Sequence, residues 1–220
     1  ISLLECEKNV NSTLTAKNNK SPALLGNTGN IRGFRLFSRN FMALKSTIYK
    51  AELNIADMDR NYYAAHGLTL ARHPSETEER LMVRLVAFML FADEALTFGK
   101  GLSEDDAPDL WQKDLTDAIQ LWIDVGLPSE RDIKKACGKS NQVAVVLYGG
   151  RVAEMWWMQN SKSLLKLNNL CVINLPETEA LNAICTRNMQ VSCNIQDGQF
   201  FISSDNGSVE MAPAFLKQFS

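Results

Sequence analysis

The sequence predicts an α/β fold, a mixed central β-sheet flanked by helices, on three observations. Segments near both ends alternate apolar and polar residues as strands do. The stretch 74–98 is helical in pattern. Residues 142–149, QVAVVLYG, form a continuous apolar run suited to a strand covered on both faces.

Taken in order, Thr47 to Ile55 alternates as a strand, Ala56 to Arg60 supplies turn residues, and Tyr62 to Ala71 reads as the returning strand. The helix over residues 74–98 starts at Pro74, with Ser75 as N-cap and Glu78 at the capping-box position. Glu79 is in line with Val83, Val86 and Leu90, so it projects near a buried face, whereas Glu76 and Glu78 read as first-turn charges favouring the helix dipole. A second hairpin spans residues 108–126. A short helix follows over 129–139, stopped at Gly138, and then the central strand at 142–149. The last third gives a helix over 152–167, a strand at 170–175, a helix at 176–187, and a hairpin of Gln190–Ile195 and Gln199–Ser203 around Asp197-Gly198.

The second hairpin carries the best functional clue. Pairing Lys113 with Ala118 sets Trp111 opposite Gln120 and Asp109 opposite Trp122, with Asp124 on the diagonal. Asp109, Trp111, Lys113, Gln120, Trp122 and Asp124 then share one face, because cross-strand partners point the same way. Leu110, Gln112, Ile119, Leu121, Ile123 and Val125 form the other, core-facing set. Two carboxylates so placed can meet at one hard cation such as Mg²⁺. Equally, aspartates at strand ends cap, turn and solubilise. Trp111 and Trp122 either stack a base or pack across the strands. Arg72-His73 either bind phosphate near the helix start or fix the chain as it turns into the helix.

Composition bounds the classes. The chain has 220 residues, 45% apolar and 22% charged, enough for one domain with a tail. Residues 1–41 hold six basic and two acidic residues, a net of +4 against −2 for the whole chain, so the rest carries −6. An acidic body lacks the broad basic footprint of a duplex-binding protein, which leaves only local contacts to nucleic acid. Residues 1–41 read as a disordered leader extraneous to the folded domain 42–220, with Met42 as its first residue. Five cysteines without a CxxC pair fit reduced thiols in the cytoplasm, and the two histidines are too few for a multi-histidine metal site. The most apolar stretch, 81–98, is broken by Arg84, Asp93 and Glu94, and no membrane span is expected.

Four stretches, MALKSTIYKAELNIADMDRNYY, LTLARHPSETEERLMVRLVAFMLFADE, GLSEDDAPDLWQKDLTDAIQLWIDVGLPSERDIKKACGK and YGGRVAEMWW, closely resemble the bacterial YaeQ family over about residues 42–212. The resemblance implies a variant of the restriction-endonuclease-like PD-(D/E)XK nuclease fold. Pro108-Asp109 matches the first half of that motif and Asp124 the acidic position, but Gly126 stands where the motif lysine belongs. Lys135 is the preferred substitute, with Lys134 or Lys113 as others, and Glu79 suits the acid that many such folds take from the first core helix. Two functions follow as expectations. One is a Mg²⁺-dependent nuclease or phosphodiesterase acting on nucleic acid, with Asp109, Asp124 and Glu79 holding the metal and Lys135 or Lys134 balancing charge. The other is a catalytically inactive nuclease-like fold that serves as a regulatory or protein-binding module. A third possibility uses the same acids on small phosphorylated molecules.

Overall fold

The structure, a computed structural model, describes residues 45–99 and 107–220. The expected leader and its boundary at Met42 lie outside the described residues. In chain order the elements are β1 (Thr47–Asp57), β2 (Tyr62–Arg72), α1 (Glu78–Leu90), β3 (Leu96–Phe98), β4 (Leu110–Lys113), β5 (Ile119–Val125), α2 (Glu130–Lys139), β6 (Ser140–Leu147), α3 (Arg151–Leu164), β7 (Leu170–Asn174), a 3-10 segment (Thr178–Ile184), β8 (Asn188–Gln196), β9 (Gln199–Ser204), β10 (Gly207–Met211) and β11 (Ala214–Lys217).

Two mixed sheets form where one central sheet was expected. The first has the order β10-β9-β8-β1-β2 and the second β11-β7-β6-β5-β4-β3. The first arises because β1 pairs antiparallel with β2 on one side and parallel with β8 on the other, from the far end of the chain. In the second, β5, β6 and β7 run parallel, and β6 is interior, as its unbroken apolar run requires.

Helix α1 explains why two sheets are needed. Its residues from Leu81 to Met89 are all buried, including Arg84. A helix apolar around its circumference must be covered on every side. It shares one core cluster with Ala51 and Leu53 of β1, Val191 of β8, and Leu121, Ile123 and Ala144 of β5 and β6. On the opposite face of the second sheet, Val143 and Val145 pack with Ile133 of α2 and Ala153 and Leu164 of α3.

Several sequence expectations need correction. Helix α1 ends at Leu90 rather than continuing to residue 98, because Asp93 accepts the Ala95 N–H in a turn and Leu96–Phe98 become an edge strand. Its N-cap is Thr77, whose hydroxyl accepts from the Arg80 N–H, not Ser75. Helix α2 passes through Gly138 by one residue, and the predicted helix at 176–187 is the 3-10 segment. The hairpin of β4 and β5 pairs Trp111 with Trp122, and a bulge between Gln112 and Lys113 carries the register to Lys113 opposite Ile119. From Leu110 to Gln112 that is a shift of two residues from the expected pairing, which keeps those side chains on their faces, whereas at Lys113 the bulge makes it one residue.

Candidate functional site

A cavity of about 560 Å³ opens at the C-terminal ends of the parallel strands β5 and β6, lined by Arg80, Asp124, Gly126, Leu127, Tyr148 and Val152 among others. Parallel strand ends are the customary binding edge of such sheets, because the chain must leave the sheet there through loops into helices. Here those loops lead to α2, capped by Ser129, and to α3, preceded by Gly149-Gly150 at positive φ. Trp156 of α3 ties the back of the first loop by donating its indole N–H to the Pro128 carbonyl at 3.1 Å.

The hairpin brings its two aspartates to this edge. Leu110 pairs with Ile123, so Asp109 runs toward Asp124. Asp109 is held from behind by Gly99, whose N–H donates to the Asp109 carbonyl at 2.8 Å. A Cβ on Gly99 would lie 2.1 Å from the Pro108 carbonyl oxygen, a backbone contact that cannot swing aside. Gly99→Ala is therefore expected to cost about 1–3 kcal/mol, the range for forced overpacking, and an unchanged urea midpoint would contradict the close approach.

The carboxylate of Asp109 is engaged on every side. Arg80 Nη2 donates to its Oδ1 at 2.9 Å and Oδ2 at 2.8 Å, and the Val125 N–H donates to Oδ2 at 2.8 Å. Arg84 Nε approaches Oδ1 at 3.6 Å. Arg80 Nη1 donates to Glu76 Oε1 at 2.8 Å, and Arg84 Nη1 donates to both Glu76 oxygens at 3.2 Å. Glu76, Arg80, Arg84 and Asp109 thus form a buried quartet of two cations and two anions. Burial works to lower the Arg80 pKa, and Asp109 and then Glu76 reverse that, leaving the guanidinium above its usual value.

Asp124 lies beside this quartet without joining it. Desolvation raises its pKa from 3.8 to about 7; the Trp122 indole lowers it, Asp109 raises it, Arg80 lowers it and Asp132 raises it. Trp122 Nε1, although it faces the carboxyl closely enough to act on it, closes no hydrogen bond. Asp124 is a carboxyl group poised between its two forms near neutral pH.

Glu79 does not meet the two aspartates. It accepts from the Thr178 hydroxyl at 2.6 Å and lines a second cavity of about 360 Å³ with Glu177 and Glu179, which meets the first at Gly149. Among the described residues no three His, Cys, Asp or Glu side chains gather as a metal would need. Lys134 and Lys135 lie exposed on α2, outside the lining of either cavity, and Lys134 pairs with Glu130 at 2.5 Å. Lys113 stacks over Trp111 at 4.0 Å from the ring centre. Gln120 donates to Asp114, at the turn end of the hairpin.

At Gly126, where the sequence resemblance would place a lysine, the backbone disfavours any side chain. Gly126 has φ of +110°, a conformation that an L side chain adopts only with strain, while its N–H donates to the Val146 carbonyl at 2.9 Å. The cation of the site is instead Arg80, absent from the residues that the motif singled out. Its signal was present: Arg80 and Arg84 are one turn apart on an otherwise apolar helix, and Arg80 is one turn after Glu76. Glu76, expected as a first-turn surface charge, is their buried partner. Arg72 and His73 fix the chain before α1, with Arg72 Nε donating to the Glu76 carbonyl at 2.8 Å and the His73 N–H to Glu76 Oε2 at 3.3 Å.

The cysteines of the described residues belong to the packing of the two cores. Cys137, Cys171, Cys185 and Cys193 are free thiols, and burial pushes the Cys171 and Cys185 thiols up to about 11 and Cys193 to about 12. No helix among the described residues is long and apolar enough to cross a membrane.

Fold and site together define a two-sheet α/β protein with a cleft at its parallel strand ends lined by Asp124, Arg80 and apolar residues. The model of the family described as YaeQ protein matches residues 42–213. The chain is 46% identical over 172 residues to "Uncharacterized protein YaeQ" of Escherichia coli strain K12, covering 77% of this chain and 95% of that one. The Salmonella typhi protein of the same name is 45% identical over 172 residues, with the same coverage. Among solved structures, the YaeQ protein of Xanthomonas axonopodis pv. citri superposes with a TM-score of 0.77 at 50% identity, covering 78% of this chain and 98% of that one. The YaeQ protein of Pseudomonas syringae gives a TM-score of 0.74 at 36% identity, with 79% and 97% covered. This chain belongs to the YaeQ family.

Proposed function

We propose that this protein is a nuclease-like fold that acts as a metal-free, regulatory protein-binding module. One observation carries the reading. Arg80 Nη2 is seated on both Asp109 oxygens and 3.3 Å from the Val125 carbonyl oxygen, the set of hard oxygens a divalent cation would use. The residues present therefore do not fit Mg²⁺ as the sequence resemblance implied. A buried guanidinium already neutralises Asp109, and displacing it would leave Glu76 and Asp109 short of a partner. The resemblance to PD-(D/E)XK folds is supported by the order α1, β3, β4, β5, α2, β6, with Pro108-Asp109 leading into β4 and Asp124 on β5.

A second reading keeps the enzyme: a Mg²⁺-dependent phosphodiesterase on nucleic acid using Asp109, Asp124 and Glu79, with Lys135 or Lys134 as the balancing cation. Its support is that Asp109 lies near enough to Asp124 to act on its charge. It requires Arg80 to leave Asp109. Calorimetric titration with Mg²⁺ separates the two. The binding-module reading predicts no saturable heat up to about 10 mM, beyond the range of ordinary magnesium sites. Saturable binding lost in both Asp109→Ala and Asp124→Ala would establish the enzyme reading instead.

A further inference from the structure

Asp124 is the carboxylate in the lining of the larger cavity. Among the described residues, the cation nearest to it in influence is Arg80, whose Nη1 and Nη2 are occupied by Glu76, Asp109 and Val125. Trp122, 7% exposed, directs an unpartnered Nε1 toward the same carboxyl, and the Arg80 charge that acts on Asp124 is shared with Asp109 and Glu76. A half-buried carboxylate at a cavity wall is well matched by a cationic donor.

The walls say what else that donor carries. Leu127, Pro128 and Val152 line the mouth, with Leu127 40% and Val152 61% exposed, and Tyr148 adds an aromatic ring. Apolar walls leading to a carboxyl floor match a charged head on an alkyl stem, with a ring available for cation–π contact. Arg80 in the same lining is already engaged by Asp109 and Glu76, and the charge beyond it is acidic. The neighbouring cavity is lined by Glu79, Glu177 and Glu179 and by no lysine or arginine. A phosphate backbone would meet carboxylates here, whereas a basic side chain would meet complementary charge.

From this arrangement we infer that the cleft binds the ammonium or guanidinium head of a basic side chain on a protein partner, paired with Asp124 and with its stem against Leu127 and Val152. The inference deepens the binding-module reading and rests on it.

The test is calorimetry on the full chain at pH about 8, with capped tripeptides carrying a central arginine, lysine or glutamate, and with free spermidine as the non-peptide source of the same chemistry. Binding of the arginine or lysine peptide, absent for the glutamate peptide and at least about tenfold weaker in Asp124→Asn and in Leu127→Arg, is the expected result. Leu127→Arg changes an exposed residue and keeps the test valid if Asp124→Asn alters folding. Spermidine binding more tightly than either peptide would replace the protein partner by a free polyamine. No binding of any basic probe at about 10 mM, or binding unchanged in both variants, would overturn the inference. Its failure alone leaves the metal-free reading intact, whereas saturable Mg²⁺ binding in the same cell would remove that reading.

Discussion

Arg80→Ala is expected to destabilise the protein by about 3–5 kcal/mol, the cost of removing one partner from a buried ion pair. The Arg80 side chain is 14% exposed, Asp109 7% and Glu76 0%, so its loss leaves two carboxylates sharing Arg84 alone. Arg80→Lys should recover only part of this, since one ammonium cannot hold Glu76 and Asp109 in the two directions that the guanidinium fork reaches. Lys134→Ala serves as the contrast: its exposed pair with Glu130 is of the kind worth only a few tenths of a kcal/mol. Urea unfolding of the three variants reads the difference. A loss below about 1 kcal/mol for Arg80→Ala would mean that the quartet does not hold the site together.

Asp124→Asn is expected to stabilise the protein, and the gain should depend on pH. The folded pKa of Asp124 is raised to about 7 from 3.8, chiefly by burial. As pH rises above about 4 the unfolded chain releases this proton while the folded chain keeps it, so stability falls. The penalty grows through the window between those two values and is constant above about 7. By linkage it is at most about 4 kcal/mol, and solvent access at the cavity mouth reduces it. Asparagine keeps the shape and removes the titration. Urea midpoints at pH about 4 and about 8 should show the variant gaining on the wild type only at the higher pH; parallel pH profiles would contradict the raised pKa.

Separation along the chain decides how much of this is legible in the sequence. Local patterns report most elements because alternation and apolar runs depend on neighbours in sequence: β1, β2, β6, β7 and the hairpin of β8 and β9 all lie within a few residues of their expected positions. The division into two sheets is not legible in sequence, since the parallel pairing of Lys50 with Asn188 that builds the first sheet joins segments that carry no local mark of each other. The helix end was misread because Phe91, Leu96 and Phe98 continue an apolar pattern that the turn at Asp93 interrupts.

At the site, the face shared by Trp111, Trp122 and Asp124 survived the two-residue shift in register because side chains alternate with period two. The charge balance did not survive. Lysines on α2 were the natural substitutes for a missing motif lysine in sequence, yet that helix turns Ile133 and Ala136 inward and leaves Lys134 and Lys135 outward. Arg80 is hard to single out in sequence because a charged residue in the first turns of a helix ordinarily reads as solvent-facing. Only the tertiary position of Asp109 identifies it as a buried partner.

If Arg80 holds the position a metal ion would otherwise take, the two aspartates should be blind to added metal. The most direct measurement is a Mn²⁺ titration of the wild-type chain followed by NMR, with the side-chain carboxyl carbons of aspartate labelled. The expected result is no saturable paramagnetic broadening of the Asp109 or Asp124 signals up to about 10 mM. Saturable broadening of both signals at lower concentration would place a metal between the two carboxylates and contradict the role of Arg80.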